Sequence, residues 1–382
     1  MTDARIAGLR ARMREHALDA LLVTSLADIR YLTGFSGSNA LVVLTTGDAF
    51  FVSDSRYALQ SAREVKKFRR LIGSRGLLED AAAAKMLRGC RVAGFESDAL
   101  TYAQYRSLRR LFPRVRFRPT SGMVAGLAIV KDRQEVACIE EAAAISDHVF
   151  HEILKSIRPG VTELEIAAEI SWLNRRRGAE SDAFDVIVAS GPRGALPHAR
   201  PTVRKMRKGE FILLDFGSTM RGYSSDLTRT VALGAVPRRM REAYRAVLEA
   251  NETATASARG GINASGLDAV ARECIRRRGF GRYFTHSLGH GLGLRVHERP
   301  RVSALSRDVL QSGSVITIEP GVYIPGSGGV RIEDDVLLGD GGCRVLTRSP
   351  RELIVLCPPP CRRHPFCLAG SSSLPITFHR WD

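Results

Sequence analysis

Five side chains in the C-terminal half of this sequence have the types and settings of metal ligands. Asp215 stands in Phe211-Ile212-Leu213-Leu214-Asp215-Phe216-Gly217, Asp226 follows Tyr223-Ser224-Ser225, and His290 sits between Gly289 and Gly291. Glu319 stands in Ile316-Thr317-Ile318-Glu319-Pro320-Gly321 and Glu333 in Val330-Arg331-Ile332-Glu333-Asp334-Asp335. These strand-like or turn-like segments have apolar neighbours that would bury the acids, and buried carboxylates are almost never left unpaired. Four carboxylates drawn together repel one another and take up protons unless cations of similar total charge lie between them; two divalent ions supply that charge. Any one of these acids taken alone reads equally as a surface charge beside a strand, whereas the set points to a dinuclear metal centre. Oxygen-rich ligation with one imidazole suits manganese, iron, cobalt or zinc better than a thiolate-seeking metal, and two such ions about 3.5–4 Å apart form a hydrolytic clamp. The chemistry expected is metal-assisted hydrolysis. Coordination lowers the pKa of bound water towards about 7, so no Ser or Cys nucleophile is needed.

Three further histidines stand in distinctive settings: His198 after Ser190-Gly191-Pro192 and Leu196-Pro197, and His286 and His297 on either side of the ligand in His286-Ser287-Leu288-Gly289-His290 and Val296-His297-Glu298. The order and wording of all these segments resemble the pita-bread metallopeptidases, the family of aminopeptidase P, prolidase, methionine aminopeptidase and creatinase. The resemblance implies that Asp215 chelates one metal, that Asp226 and Glu333 bridge both, and that His290 and Glu319 hold the other. It also implies that His198 and His297 hydrogen-bond the substrate and the developing tetrahedral intermediate, and that His286 lies beside a proline pocket. Glu319 is the candidate for moving a proton from the attacking water to the leaving nitrogen, which makes Glu319, His198 and His297 the expected catalytic set. Arg331 stands two residues before Glu333. On one strand face it would orient that bridging carboxylate beside the substrate-binding His198, His286 and His297; otherwise it is a solvated edge charge. Arg295 departs from the resemblance, because the position before Val296-His297 is commonly acidic in relatives; pointing inward it would shift substrate preference, and pointing outward it would not.

Elements able to position such a site can be read from periodicity. A helical pattern over Arg5–Ala17 precedes strand-like Ala20–Thr24, Ala40–Thr45, Ala49–Ser53 and Val92–Phe95, an alternation that argues for a small α/β domain. Its segments Tyr31-Leu32-Thr33-Gly34-Phe35-Ser36-Gly37-Ser38 and Ser53-Asp54-Ser55-Arg56-Tyr57 look like the N-terminal domain of bacterial Xaa-Pro aminopeptidases and related dipeptidases, which methionine aminopeptidases lack. The chain is expected to divide near 126–132. Beyond that, Asp132–Ile157 reads as a long helix, and Thr162-Glu163-Leu164-Glu165 has the spacing of a capping box. Ala183–Ala189 and Glu210–Phe216 read as strands, and the turn-rich stretch Gly217–Gly222 would fold the Asp215 and Asp226 segments into a hairpin. Helical Arg238–Ala258 and Gly266–Arg278 precede a loop with His290, after which two Glu-bearing strands close the sheet. The fold class expected is therefore α/β, with a creatinase-like N-terminal domain over 1–126 and a pita-bread catalytic domain over 132–357. Residues 358–382, with Pro358-Pro359-Pro360 and Ser371-Ser372-Ser373, have the composition of a disordered tail; Cys361, His364 and Cys367 within it read as incidental rather than as a metal site.

Composition narrows the setting. A chain of 382 residues that is 44% hydrophobic can build more than one core. No apolar run is long enough to span a bilayer, and the charged beginning has no signal-peptide character, so a cytoplasmic enzyme is expected. The cysteines at 90, 138, 274, 343, 357, 361 and 367 show neither disulfide nor zinc-knuckle spacing and read as reduced thiols. The net charge of +17 is distributed in short clusters interrupted by acids, such as Arg175-Arg176-Arg177 and Arg276-Arg277-Arg278, which describes solvated helix faces rather than a specific nucleic-acid surface. The expectation is a manganese-type dinuclear Xaa-Pro aminopeptidase, with cobalt, zinc or iron as other possible ions, acting on peptides with proline second and dimeric as its family would be. The alternatives are a prolidase that cleaves Xaa-Pro dipeptides and, from another class, a non-catalytic pita-bread binding protein.

Overall fold

The computed structural model describes residues 2–356 and 377–378. The chain divides into two compact units, Met1–Ala128 and Ile129–Asp382. No helix among the described residues is long and apolar enough to cross a membrane. Cys90, Cys138, Cys274 and Cys343 are not in disulfides.

The N-terminal unit alternates helix and strand: α1 (Thr2–Glu15), β1 (Ala20–Val23), α2 (Leu26–Thr33), β2 (Leu41–Thr45), β3 (Ala49–Asp54) and α3 (Ala58–Glu64). It continues through β4 (Arg69–Gly73), α4 (Leu77–Ala83), β5 (Val92–Glu96), α5 (Tyr102–Leu111), β6 (Arg116–Thr120) and α6 (Ala125–Ala128). The strands form one sheet in the order β4-β3-β2-β1-β5-β6. Every residue of β1 is buried, as an interior strand covered on both faces requires, and its Ala-Leu-Leu-Val run shows no polar alternation. Helix α1 applies Ile6, Leu9 and Met13 to the core, one apolar stripe at helical spacing.

The C-terminal unit consists of two halves, each a helix pair laid on a sheet. In the first, α7 (Arg133–Ile153) starts at Asp132 and α8 (Glu163–Arg176) at Thr162. Both starts are capping boxes, closed by Glu135 and Glu165, each contributing roughly 1 kcal/mol to fixing where its helix begins. The strands that follow are β7 (Ser181–Asp182), β8 (Ile187–Ser190), β9 (Glu210–Phe216), β10 (Ser218–Met220), β11 (Tyr223–Ser224) and β12 (Leu227–Leu233). Side chains such as Val149, Ile153, Ile166 and Ile170 pack from the helices onto Ile212, Leu214 and Val231. The second half has α9 (Arg238–Ser257), α10 (Ala264–Arg277), β13 (Gly289–Gly291), β14 (Glu298–Val302) and β15 (Val315–Ile318). It ends with the hairpin β16 (Gly321–Ile324) and β17 (Gly328–Arg331), then β18 (Asp334–Leu338), β19 (Cys343–Val345) and β20 (Ile354–Leu356). Its sheet runs β14-β13-β15-β18-β19, under Ala243, Val247, Leu267 and Ala271 of the helix pair. The last strand returns to the first half, where β20 pairs in parallel with β12.

Four sequence expectations are refined here. Ala183–Ala189 is not one strand: β7 pairs with β10 and β8 with β9, so residues 183–186 leave the ladder while the chain changes partners. Gly217–Gly222 is not all turn, because Ser218–Met220 forms β10 and the reversal is confined to Arg221 and Gly222, both at positive φ. His290 lies in a short strand rather than a loop; a Cβ on Gly289 or Gly291 would fall 2.0 Å from Thr317 O or 2.2 Å from Arg299 O, so only glycine lets the neighbouring backbones close on it. Glu319 and Glu333 stand just beyond strand ends, Glu319 after β15 where Pro320 cannot donate to the ladder, and Glu333 in the break between β17 and β18. Of the 358–382 tail only Thr377–Phe378 are described, as a two-residue strand beside Ile354–Val355; Cys361, His364 and Cys367 lie outside the described residues.

The N-terminal unit contains a buried acid with a measurable consequence. Glu96, at the end of β5 and 5% exposed, accepts hydrogen bonds from Thr24 N at 2.6 Å and Ser25 N at 2.8 Å, holding the start of α2. Burial, followed by the neighbouring Asp28, pushes its carboxyl up to about 8 from 4.5. The folded state therefore keeps a proton that the unfolded chain releases, so this group's contribution to stability falls as pH rises from about 4.5 to about 8. Glu96→Gln keeps an acceptor for both amides and has nothing to ionise. Thermal unfolding followed between about pH 5 and pH 8 should show a wild-type decline on the order of 1–3 kcal/mol that is flattened in Glu96→Gln. Parallel pH profiles would show that Glu96 is ionised in the folded protein.

Candidate metal centre

The two halves of the C-terminal unit deliver the five expected ligands to one cavity of about 950 Å³, with Asp215 and Asp226 coming from the first half and His290, Glu319 and Glu333 from the second. Asp215 is near the end of β9 and Asp226 immediately before β12, two strands paired in antiparallel register. Asp226, His290 and Glu333 each offer a ligand atom, all within 4.8 Å of one another. His290 Nε2 lies 3.4 Å from Glu319 Oε1 and 3.8 Å from Asp226 Oδ2. Its Nδ1 is 3.1 Å from Gly291 O, an acceptor only, so Nδ1 carries the proton and Nε2 presents its lone pair to the carboxylates.

Protein groups do not balance the charge of this cluster. Asp226 is raised well above the usual carboxylate range by burial and then by Glu333, Asp215, Asp335 and Glu319. Glu319 is raised likewise by burial and then by Glu333, and Glu333 is pushed up to about 8 by burial and Asp215. His290 is held down at about 4, chiefly by burial and then by His297, and is therefore neutral at physiological pH. Asp215 Oδ1 is buried without a hydrogen-bond partner. Repelling carboxylates, a neutral imidazole with an available lone pair and an orphaned buried oxygen are a donor set suited to divalent cations.

One cation of the chain pairs directly with a carboxylate of the cluster. Arg331, 3% exposed, donates through Nη2 to Asp215, through Nε to Thr228 Oγ1 at 3.0 Å, and through Nη1 to Tyr323 Oη at 2.7 Å and Pro197 O at 3.2 Å. It therefore forms part of the cavity wall with its donors engaged by protein groups, and the carboxylate it orients is Asp215 rather than Glu333. Glu333 is instead held by Thr228 Oγ1 at 2.6 Å. His198, His286 and His297 all line the cavity. The His297 ring lies 4.2 Å from that of His290, while His286 Nε2 is 2.9 Å from Tyr323 Oη and His286 Nδ1 3.9 Å from Glu319. The wall around His297 is made by Val296, Glu298 and Arg299, and Arg295 is not among the cavity's lining residues.

Sequence reasoning missed the residues that hold these groups. Asn251, fully buried in α9, donates Nδ2 to Ile318 O at 3.0 Å and Ile332 O at 3.2 Å, the carbonyls immediately before Glu319 and Glu333. Tyr323 links His286 to Arg331, and Thr317 Oγ1 accepts from His290 N at 3.1 Å. The one available signal was a lone Asn on the apolar face of a helix; the Thr and Tyr positions are ordinary strand residues.

The fold and this site define a metallo-exopeptidase. Residues 137–340 match the model of metallopeptidase family M24 and residues 5–130 that of the creatinase/prolidase N-terminal domain. The chain belongs to metallopeptidase family M24, in the branch that carries the creatinase/prolidase N-terminal domain before the pita-bread catalytic domain. It is 38% identical over 347 residues to an Xaa-Pro dipeptidase of Pyrococcus horikoshii, a match covering 90% of this chain and 96% of that protein. The structure of an Xaa-Pro dipeptidase from Bacillus anthracis superposes with a TM-score of 0.91 at 39% identity, covering 93% of this chain and 100% of the other. An X-Pro aminopeptidase from Thermotoga maritima gives 0.84 at 36% identity, covering 89% and 98%. A divalent metal cofactor goes with the family, and the binding-only alternative gives way to an enzyme.

The charge argument sets a trade-off that can be measured. Asp226→Asn and Glu333→Gln should each lose divalent metal, read by elemental analysis after dialysis against manganese, because an amide cannot replace the missing charge. In EDTA-treated protein Asp226→Asn should unfold at higher temperature than wild type, by roughly 1–3 kcal/mol at neutral pH, since one repelling carboxyl is gone. A metal-free Asp226→Asn variant less stable than metal-free wild type would contradict the repulsion.

Proposed function

We propose that this protein is a prolidase, a dinuclear-metal dipeptidase that hydrolyses Xaa-Pro dipeptides. The expectation of an aminopeptidase thereby yields to its alternative: relatives over nearly the full chain are named Xaa-Pro dipeptidases, alongside an aminopeptidase. Asp215, Asp226, His290, Glu319 and Glu333 would hold the ions, and manganese would suit this mostly carboxylate set. When bound, the ions make water nucleophilic near neutral pH and polarise the scissile carbonyl. Glu319 takes the proton of the attacking water and returns it to the leaving proline nitrogen. His198 and His297 donate hydrogen bonds to the carbonyl oxygen as it becomes tetrahedral, an interaction that strengthens towards the transition state. Proline has no N–H to satisfy, and Phe184, Ile187 and Val296 together with His286 give its ring an apolar wall. A cytoplasmic homodimer completes this reading.

Arg301 is the observation that favours a dipeptide. Three arginines line the cavity: Arg331 is engaged as described and Arg299 pairs with Asp308, whereas the guanidinium of Arg301, whose backbone amide also donates to Asp308, has no carboxylate partner among the described residues. It stands directly across the β13–β14 ladder from His290, so its side chain starts on the ligand's own face of the sheet. An uncommitted guanidinium beside the metal ligands suits the terminal carboxylate that an Xaa-Pro dipeptide carries next to its scissile bond.

With manganese added, Ala-Pro should be hydrolysed faster than Ala-Pro-Ala or Ala-Pro amide. Arg301→Ala should raise KM for Ala-Pro by about 10- to 100-fold with little change in kcat, the pattern of lost uniform binding. Equal rates on the dipeptide and the tripeptide would return the assignment to an aminopeptidase.

A further inference from the structure

His198 makes no hydrogen bond through its own side chain among the described residues, although it lines the catalytic cavity. Its imidazole is placed by the backbone of the segment that carries it, which leaves β8 at Ser190 and reaches Thr202 without forming another strand. Both ends of that segment meet on one carboxylate. Glu163, the first residue of α8 and fully buried, accepts at Oε1 from Ser190 N and Ser190 Oγ, each at 2.8 Å. At Oε2 it accepts from Arg193 Nε at 3.0 Å, Thr202 N at 3.0 Å and Thr202 Oγ1 at 2.7 Å. Capping does not require this arrangement, because Thr162 and Glu165 already close the helix start.

We propose that Glu163 is a positioning residue for His198, closing the 190–202 segment into a rigid loop that presents the imidazole to the substrate; this rests on the role given to His198 above. A loop of about this length would otherwise sample many conformations, and ordering it costs entropy that the five bonds to one desolvated carboxylate offset. Two further contacts fix the loop between its ends. Gly194 lies against Gly329 of β17 so closely that a Cβ on Gly194 would fall 2.9 Å from Gly329 N. Beyond it, Arg331 holds Pro197 O, the carbonyl immediately before His198. Glu163 thus sets the loop's base while the wall of the metal centre sets its tip, and His198 has its place relative to Asp215 through Arg331.

The test uses the full chain loaded with manganese and Ala-Pro as substrate. Glu163→Gln cannot accept from both the Ser190 and the Arg193–Thr202 donors, and it should lower kcat about 10- to 100-fold while manganese content stays at the wild-type level, since misplacing a reacting group by about 1 Å costs that much. The double variant Glu163→Gln/His198→Ala should be no slower than His198→Ala alone, because the clamp has nothing left to position. Amide hydrogen exchange over residues 191–201 should accelerate in Glu163→Gln. Multiplying losses in the double variant, or loss of manganese, would overturn the proposal by showing that Glu163 acts other than through His198. A wild-type rate for His198→Ala would instead overturn the role of His198, whatever the exchange data show. Should Glu163→Gln not fold, Thr202→Val removes one donor to the same carboxylate; a smaller kcat loss that disappears in the His198→Ala background supports the clamp, and an unchanged kcat overturns it.

Discussion

Mutual repulsion of buried carboxylates is the constraint from which the rest of the catalytic unit follows. Asp215, Asp226, Glu319 and Glu333 share one cavity, and Asp335 stands close enough behind Asp226 to accept its backbone amide at 3.0 Å. Such an assembly is unfavourable unless charge of the opposite sign enters it. Among the described residues, Arg331 is the guanidinium that pairs with one of these carboxylates, Asp215, and it is tied as well to Tyr323 and to the backbone before His198. Neutral His290 adds a lone pair rather than a second positive charge. What the protein leaves uncompensated is what divalent ions can neutralise, so stability is given up locally for affinity.

Holding repelling groups in place requires stiff supports, and these are built from strand ends. Asp226, Glu319 and Glu333 sit where the backbone enters or leaves a ladder, and all three line one cavity. The supports are cross-tied from behind. Asn251 of α9 grips the carbonyls before Glu319 and Glu333, and Arg229, 1% exposed in β12, reaches Glu333 O, Asp334 and Ser349 O. Displacing either glutamate would therefore break hydrogen bonds in a region shut off from water, where an unsatisfied polar group costs on the order of 1–3 kcal/mol.

The same economy extends to the histidines proposed to meet the substrate. His286, bonded through Tyr323 to Arg331, and His198, carried on a loop fastened to Glu163 and Arg331, are both referred back to the guanidinium that orients Asp215. The proposed metal ligands and the histidines proposed to meet the substrate are thus coupled through shared partners rather than assembled independently. Arg299 and Arg301 of β14 also line the cavity, and Arg299 is paired with Asp308.

Much of this was legible in the sequence because it is local. The apolar run of β9 is a buried strand with its bounds as read, the capping box at Thr162 starts a helix where its side chains reach their own backbone, the helix read from Asp132 starts there, and five metal-ligand types in apolar settings converge on one cavity. What the sequence could not carry was partnership across long separations. Residues 183–186 leave the sheet because β7 and β8 have different partners, Arg331 faces Asp215 rather than Glu333, and Asn251, Glu163 and Tyr323 acquire their importance from groups far along the chain. Periodicity and capping are settled within a few residues. A hydrogen bond between β17 and β9, or between a helix start and the far end of a loop, exists only once the strands are stacked, and only the tertiary structure decides which donor meets which carboxylate.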